Sequence, residues 1–271
     1  SVRFTSRNFL RTFNRSFWDD EGAFLDFEIL PLEVLDGGEA LRSQFYTPVR
    51  NSAGDPQRLV IGAANGVYES LDAGDTVTEI GPGIRINSIG FKPLAYGALP
   101  NPNALYLGGS DNPAVFPSNK VWVRTGAPPA PLTRSVSYPG TRAIRSIAID
   151  PRDGDQAFVV DSGNVFRTKD AGVTWSNVTG NLGIFDPSVF RSVVFAHTAF
   201  GNALVVGTNR GVYISTARTG FTGWRQLGNA MPTVPVFDLR YDSRGDQITA
   251  GTLGRGAFVL PGVSLAVLQA D

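Results

Sequence analysis

LVIGAANGVYES at 59–70 and AFVVDSGNVFRT at 157–168 share one shape: an apolar run, a short polar turn, and a second apolar run closing on Ser or Thr. LVVGTNRGVYIS at 204–215 and ITAGTLGRGAFVL at 248–260 repeat it. A looser copy runs from LYLGG at 105–109, through an insertion, to KVWVRT at 120–125. Copies of one short-strand phrase at periods of about 40–50 residues point to radial repetition of small sheets. The expected fold is all-β: a β-propeller of four-stranded antiparallel blades, five of them clear, with the N-terminal segment allowed as a partial sixth.

One strand precedes each phrase and one follows it. ALRSQFYTP at 40–48, RINSIGFKP at 85–93, AIRSIAIDP at 143–151, VFRSVVFAH at 189–197 and VFDLRYDSR at 236–244 occupy the inner slot. Their polar markers are Arg42, Asn87, Arg145, Arg191 and Asp238, at steps of 45, 58, 46 and 47 residues. The long step holds the insertions 98–104 and 110–119. Outer strands are expected at 78–81, 133–139, 176–181 and 224–229, with PGVSLAVLQAD at 261–271 as the last. The blades then run about 40–83, 84–140, 141–185, 186–231 and 232–271. Strand-like runs at 1–9 and 23–35 place residues 1–39 as strands that complete or close the ring, which would cover an open edge. No 10–15-residue helical pattern separates the strands, so a parallel α/β fold is excluded.

The 271 residues suit one sizeable domain, and 31 Gly with 18 Pro suit many short strands joined by turns. Lys plus Arg balance Asp plus Glu at 24 each, so no global field draws the protein to nucleic acid. The absence of cysteine excludes disulfides, thiolate catalysis and Cys-based zinc sites. No apolar stretch approaches the ~18 residues of a membrane span, and no signal peptide is visible. The expected location is secreted, periplasmic or cell-surface.

Thr168-Lys-Asp170-Ala-Gly172-Val-Thr174-Trp175 carries a turn signature between third and fourth strands. Ser70-Leu-Asp72-Ala-Gly74-Asp-Thr76-Val77 keeps all of it but the tryptophan, and 215–224 is a degenerate form without the Asp. The signature resembles the Asp-box, Ser/Thr-x-Asp-x-Gly-x-Thr-Trp. The chain thus resembles the Asp-box (BNR-type) propeller superfamily, which includes sialidases, sortilin-type receptors, xyloglucan-specific hydrolases and a photosystem assembly factor. GTLGRGAFVL at 251–260 is similar to the closing segment of sortilin-like propellers. The resemblance implies a fold more than an activity, because unrelated activities share the box. Physically, the Asp accepts amide hydrogen bonds in a tight turn, the Gly takes a conformation others avoid, and the Trp wedges between blades. Ser70, Asp72, Gly74, Thr168, Asp170, Gly172, Thr174 and Trp175 are therefore read as structural.

Strand alternation puts the boxes on one face and the start of every inner strand on the other. On that second face Arg42, Asn87, Arg145, Arg191 and Asp238 are expected to ring the axis. Converging guanidiniums repel unless an anion compensates, and Arg binds carboxylate, phosphate or sulfate bidentately. A ligand site is one reading; arginines that rivet neighbouring blades through carbonyls is the other. The same face receives Asn65, Asn164, Asn209, Arg210, Arg255 and the large loop with Asp111 and Asn112, the best single binding element by length.

A glycosidase needs two facing carboxylates. The densest acidic run is Asp19, Asp20, Glu21, Asp26 and Glu28, read as a solvated turn with a calcium-binding one as its alternative, through hard oxygens. The Phe-Arg-Ile-Pro segment and the Tyr–Glu nucleophile pair of sialidases are not identifiable, which counts against that activity. His197, the single histidine, falls at a strand end and is read as structural; imidazole-rich metal sites are excluded. No phosphate-binding fingerprint occurs. Asn14-Arg-Ser16 and Asn177-Val-Thr179 are glycosylation sequons. The reading favoured is a recognition or scaffold propeller without catalysis, binding a protein or glycan on the face opposite the boxes. A carbohydrate-active hydrolase is the second reading and an assembly factor the third.

Overall fold

A computed structural model describes residues 1–35, 37–86, 92–111, 119–185, 189–228 and 231–269. The first three strands, β1 (Val2–Thr5), β2 (Asn14–Trp18) and β3 (Phe24–Ile29), form an antiparallel sheet of their own. β4 (Glu33–Val34) then leads to the first blade, β5 (Val49–Asn51), β6 (Leu59–Gly62), β7 (Gly66–Ser70) and β8 (Thr76–Pro82), and pairs in parallel with β8. Blade 2 is β9 (Leu94–Tyr96), β10 (Leu105–Gly109), β11 (Lys120–Arg124) and β12 (Thr133–Arg134). Blade 3 is β13 (Ser146–Asp150), β14 (Asp153–Val160), β15 (Val165–Thr168) and β16 (Ser176–Asn177), followed by the short helix α1 (Leu182–Phe185). Blade 4 is β17 (Phe190–Thr198), β18 (Gly201–Thr208), β19 (Gly211–Thr216) and β20 (Trp224–Gln226). Blade 5 has three strands, β21 (Val236–Asp242), β22 (Gln247–Thr252) and β23 (Ala257–Pro261), and ends in helix α2 (Val263–Leu268). Six small sheets in a propeller arrangement result, with helix confined to short pieces.

The quoted phrase is the β-hairpin of second and third strands. It reads as continuous apolar sequence because both faces are covered, and every residue of β6, β7 and β10 is buried. The recurring glycine has the same cause. A Cβ on Gly62, Gly108 or Gly207 would stand 2.8–2.9 Å from Ile86, Ile144 or Val236, on the chain entering the next blade. Separate apolar clusters fill the seam of each blade with the next, and another joins Phe13 and Leu30 of the N-terminal segment to blade 1. Among the described residues no hydrogen bond or ring contact joins the N-terminal sheet to blade 5.

Two expectations are corrected. The inner strands of blades 1 and 2 are β5 and β9, beyond the expected 40–48 and 85–93. Pro48 and Pro93 stand immediately before them, since a residue without N–H is tolerated before a ladder begins rather than inside it. The segment expected to give blade 5 its outer strand is instead α2. Its Val263 and Val267, four apart, are both buried in the blade 4–blade 5 cluster, a helical spacing rather than an alternating one. Residues 1–39 supply the sheet β1–β3 and the short strand β4, so the N-terminal segment contributes the sixth sheet that the sequence allowed as a partial blade.

Candidate functional site

Both sequence-marked turns fold as closed hydrogen-bonded boxes. The Ser70 hydroxyl donates to Asp72 (2.7 Å) and accepts from the Gly74 amide (2.7 Å), while the Thr76 hydroxyl donates to Asp72 (2.6 Å). Thr168, Asp170, Gly172 and Thr174 repeat the set at 2.5–2.8 Å. Gly74 and Gly172 sit at φ of 101° and 81°, where a side chain would be strained. Burial works against the Asp72 carboxylate, but the Thr76 and Ser70 donors outweigh it and hold its pKa below the usual value. Trp175 donates to Ser135 (2.9 Å) and meets Tyr138 edge-on. These residues build the fold.

On the opposite face the expected ring divides into three groups. Arg145 and Arg191 come together: burial first, then the Arg191 charge, lowers the Arg145 pKa against the pull of Asp161. Arg191 lies over the Phe237 ring (4.2 Å) and donates to Asn209 (2.5 Å). Asp238 belongs elsewhere. It accepts from Lys92 (2.6 Å), lies 3.4 Å from Arg240, and stands near Arg50. Burial, then Arg240, pushes the Arg50 guanidinium down to about 10. Arg42 is separate again, paired with Glu39 at 3.5 Å. Asn87 and Asn112 lie outside the described residues. Arg210 and Arg255 are exposed, and Asp111 lies 3.5 Å from Arg134.

The third group opens a cavity of about 310 Å³ between the upper ends of blades 1 and 2, lined by Glu39, Arg42, Asn65, Glu79, Arg85 and Asp111. Asn65 organises its floor: its carbonyl oxygen accepts from the Arg42 amide (2.9 Å) and its amide donates to Glu39 (3.4 Å) and to the Tyr68 hydroxyl (2.8 Å). The Glu39 amide donates to the Glu79 carboxylate (3.2 Å), which brings two glutamates to one wall. Burial, then the Glu79 charge, raises the Tyr68 pKa. A few residues past Arg42, Phe45 and Tyr46 stand 48% and 61% exposed, edge to face at 4.9 Å, with Phe9 against Phe45 at 5.6 Å.

Glu39, Glu79, Arg50, Lys92 and Arg240 were not singled out from the sequence. The prolines at 48 and 93 were the available signal, because they shift the frame of the first two inner strands and bring Arg50 and Lys92 to the axis. His197 contacts Asn202 at a strand end. Within the acidic run, Asp19 caps a turn through the Glu21 and Ala23 amides, and Glu28 pairs with Arg15 at 2.6 Å. Among the described residues no group of three or more His, Cys, Asp or Glu is placed to hold a metal ion. Nor is any helix long and apolar enough to cross a membrane.

Sheet order and blade seams together define a β-propeller, in which two Asp-centred turns fold as hydrogen-bonded boxes. Among solved structures the chain is similar to an ancestral GH74 enzyme, with a TM-score of 0.53 and 17% identity over 76% of this chain. It is also similar to the GH74 enzyme of Niastella koreensis, with a TM-score of 0.57 and 16% identity over 97% of this chain. The chain spans 27% and 41% of those two proteins. At such identity the likeness is one of fold. No protein-family model and no curated protein matches the sequence.

Proposed function

We propose that this propeller recognises a glycan, laid across the cavity of Glu39, Arg42, Glu79 and Asp111 and resting on the rings of Phe45 and Tyr46. The observation that carries the reading is a cavity lined by both charge signs, with an exposed aromatic pair three and four residues beyond Arg42 along the chain. Sugar hydroxyls donate and accept at once, which suits carboxylates beside guanidiniums, and the apolar face of a pyranose suits an exposed ring. An exposed aromatic patch on a soluble surface commonly marks a binding site. A glycan array tests it. Tyr46→Ala and Glu79→Gln should each weaken the captured glycan by about tenfold or more with the melting temperature unchanged. Capture of nothing, or undiminished capture by both variants, removes the reading.

One observation favours a second reading, hydrolysis: the two glutamates on one wall. Retaining glycosidases hold their carboxyls about 5–5.5 Å apart and inverting ones further. Turnover of chromogenic glycosides, lost in both Glu39→Gln and Glu79→Gln, would establish it. A chain that binds glycans without turnover leaves recognition alone.

A further inference from the structure

Blades 2, 3 and 4 each close with a fourth strand, whereas blade 5 stops at β23. Blade 4 shows what the fourth strand does. Trp224 of β20 stands opposite Ser215, Gln226 stands opposite Tyr213, and Trp224 is buried in the seam with blade 3. In the repeat, GVYIS at 211–215 corresponds to GAFVL at 256–260, so Phe258 and Leu260 take the places of Tyr213 and Ser215. Among the described residues no strand pairs with β23 on its outer side. A cavity of about 170 Å³ lies between blades 4 and 5 against β22 and β23, lined by Leu227 and Met231 on the blade 4 side and Ile248, Phe258 and Leu260 of blade 5. It continues the apolar seam between the two blades. Its size is comparable to the ~150 Å³ apolar cavity known to admit benzene.

The backbone beside it is equally open. The Thr252 amide donates to the Gly256 carbonyl (3.0 Å), and antiparallel alternation from that bond turns the Phe258 and Leu260 amides towards β22. Ala257 and Val259 therefore present their amides and carbonyls outwards, and Val259 is 56% exposed. A free strand edge beside an apolar slot is a template for strand addition, in which main-chain bonds give affinity and the slot gives selectivity. Residues 263–268 do not supply the strand, because they form α2, which packs against blade 4.

We propose that this edge binds an extended peptide segment of a partner protein, which pairs antiparallel with β23 as the fourth strand of blade 5 and places an aromatic side chain opposite Leu260. This site is separate from the polar cavity and independent of the glycan reading. The probe is a blocked synthetic peptide of residues 222–228, TGWRQLG, which forms such a strand in blade 4. Saturable binding by fluorescence anisotropy is expected, with slowed hydrogen exchange at the Val259 amide. A peptide with alanine at the tryptophan should bind about tenfold more weakly or worse. Val259→Pro removes the outward donor and should abolish binding. Leu227→Trp, which fills the cavity while leaving the edge intact, should do the same and serves if the proline variant does not fold. The proposal fails if millimolar peptide leaves Val259 exchange unchanged, or if binding survives in Leu227→Trp. It fails too if sedimentation shows two copies paired through the same amides, which assigns the edge to self-association.

Discussion

Arg124 and Glu69 meet at the buried seam between blades 1 and 2, their guanidinium and carboxylate joined by two hydrogen bonds and their side chains 1% and 2% exposed. The Tyr96 hydroxyl donates to the same carboxylate. Burial alone would lower the Arg124 pKa; the Glu69 carboxylate more than reverses that. This pair couples the third strands of two blades through charge, beside the apolar cluster of the same seam.

Removing one partner strands the other. Arg124→Met is expected to cost about 3–5 kcal/mol, whereas Glu69→Leu with Arg124→Met should recover most of the loss. Urea denaturation of the two variants and the parent checks it. Equal destabilisation by the single and double variants would contradict the account.

The first box predicts a pH dependence. Asp72 is held below its ordinary pKa, so its contribution is complete above the ordinary carboxylate range and disappears as pH falls through the lowered value. The melting-temperature gap between the parent and Asp72→Asn should be widest near neutral pH and narrow below about pH 4. A gap that stays constant down to pH 2 would show that the charge is irrelevant.

At the axis, Arg50, Lys92 and Arg240 share one carboxylate, Asp238. Arg50 has a lowered pKa, so its charged form opposes folding at neutral pH and that opposition fades as pH rises through about 10. Asp238→Asn should therefore lower stability at low salt, and sulfate should restore more of it than chloride at equal ionic strength. Thermal melts in the two salts decide it; identical recovery would indicate simple screening.

Two glycines separate backbone strain from steric exclusion. Gly254 lies at φ of 78° in open space, and Gly254→Ala should cost about 1 kcal/mol. Gly180 lies at φ of 48°, and a Cβ there would stand 1.8 Å from the Thr222 carbonyl oxygen. Gly180→Ala should cost clearly more, beyond about 2 kcal/mol, with loss of the blade 3–blade 4 contact. Equal melting temperatures for the two variants would contradict this.

The blade hairpins were legible because they are local: apolar runs flanking a turn, with Gly where the next blade presses close, can be counted along the chain. The boxes were legible for the same reason, since their hydrogen bonds span four residues. The axis was not. Arg42 and Arg145 occupy matching places in the repeat, yet the inner strand of blade 1 begins only at Val49 while that of blade 3 begins at Ser146, so Arg42 lines a rim cavity and Arg145 lies beside Arg191. Helix α2 was missed because a short apolar tail reads equally as strand until the burial of Val263 and Val267 shows its period. Sequence by itself thus determined the repeat, the blade interior and the turn chemistry, all set by neighbours within a few positions. Only the tertiary structure decided which charges meet and which edge is left without a strand, because those depend on interactions between residues 26 to nearly 200 positions apart, such as Asn65 with Glu39 and Asp238 with Arg50.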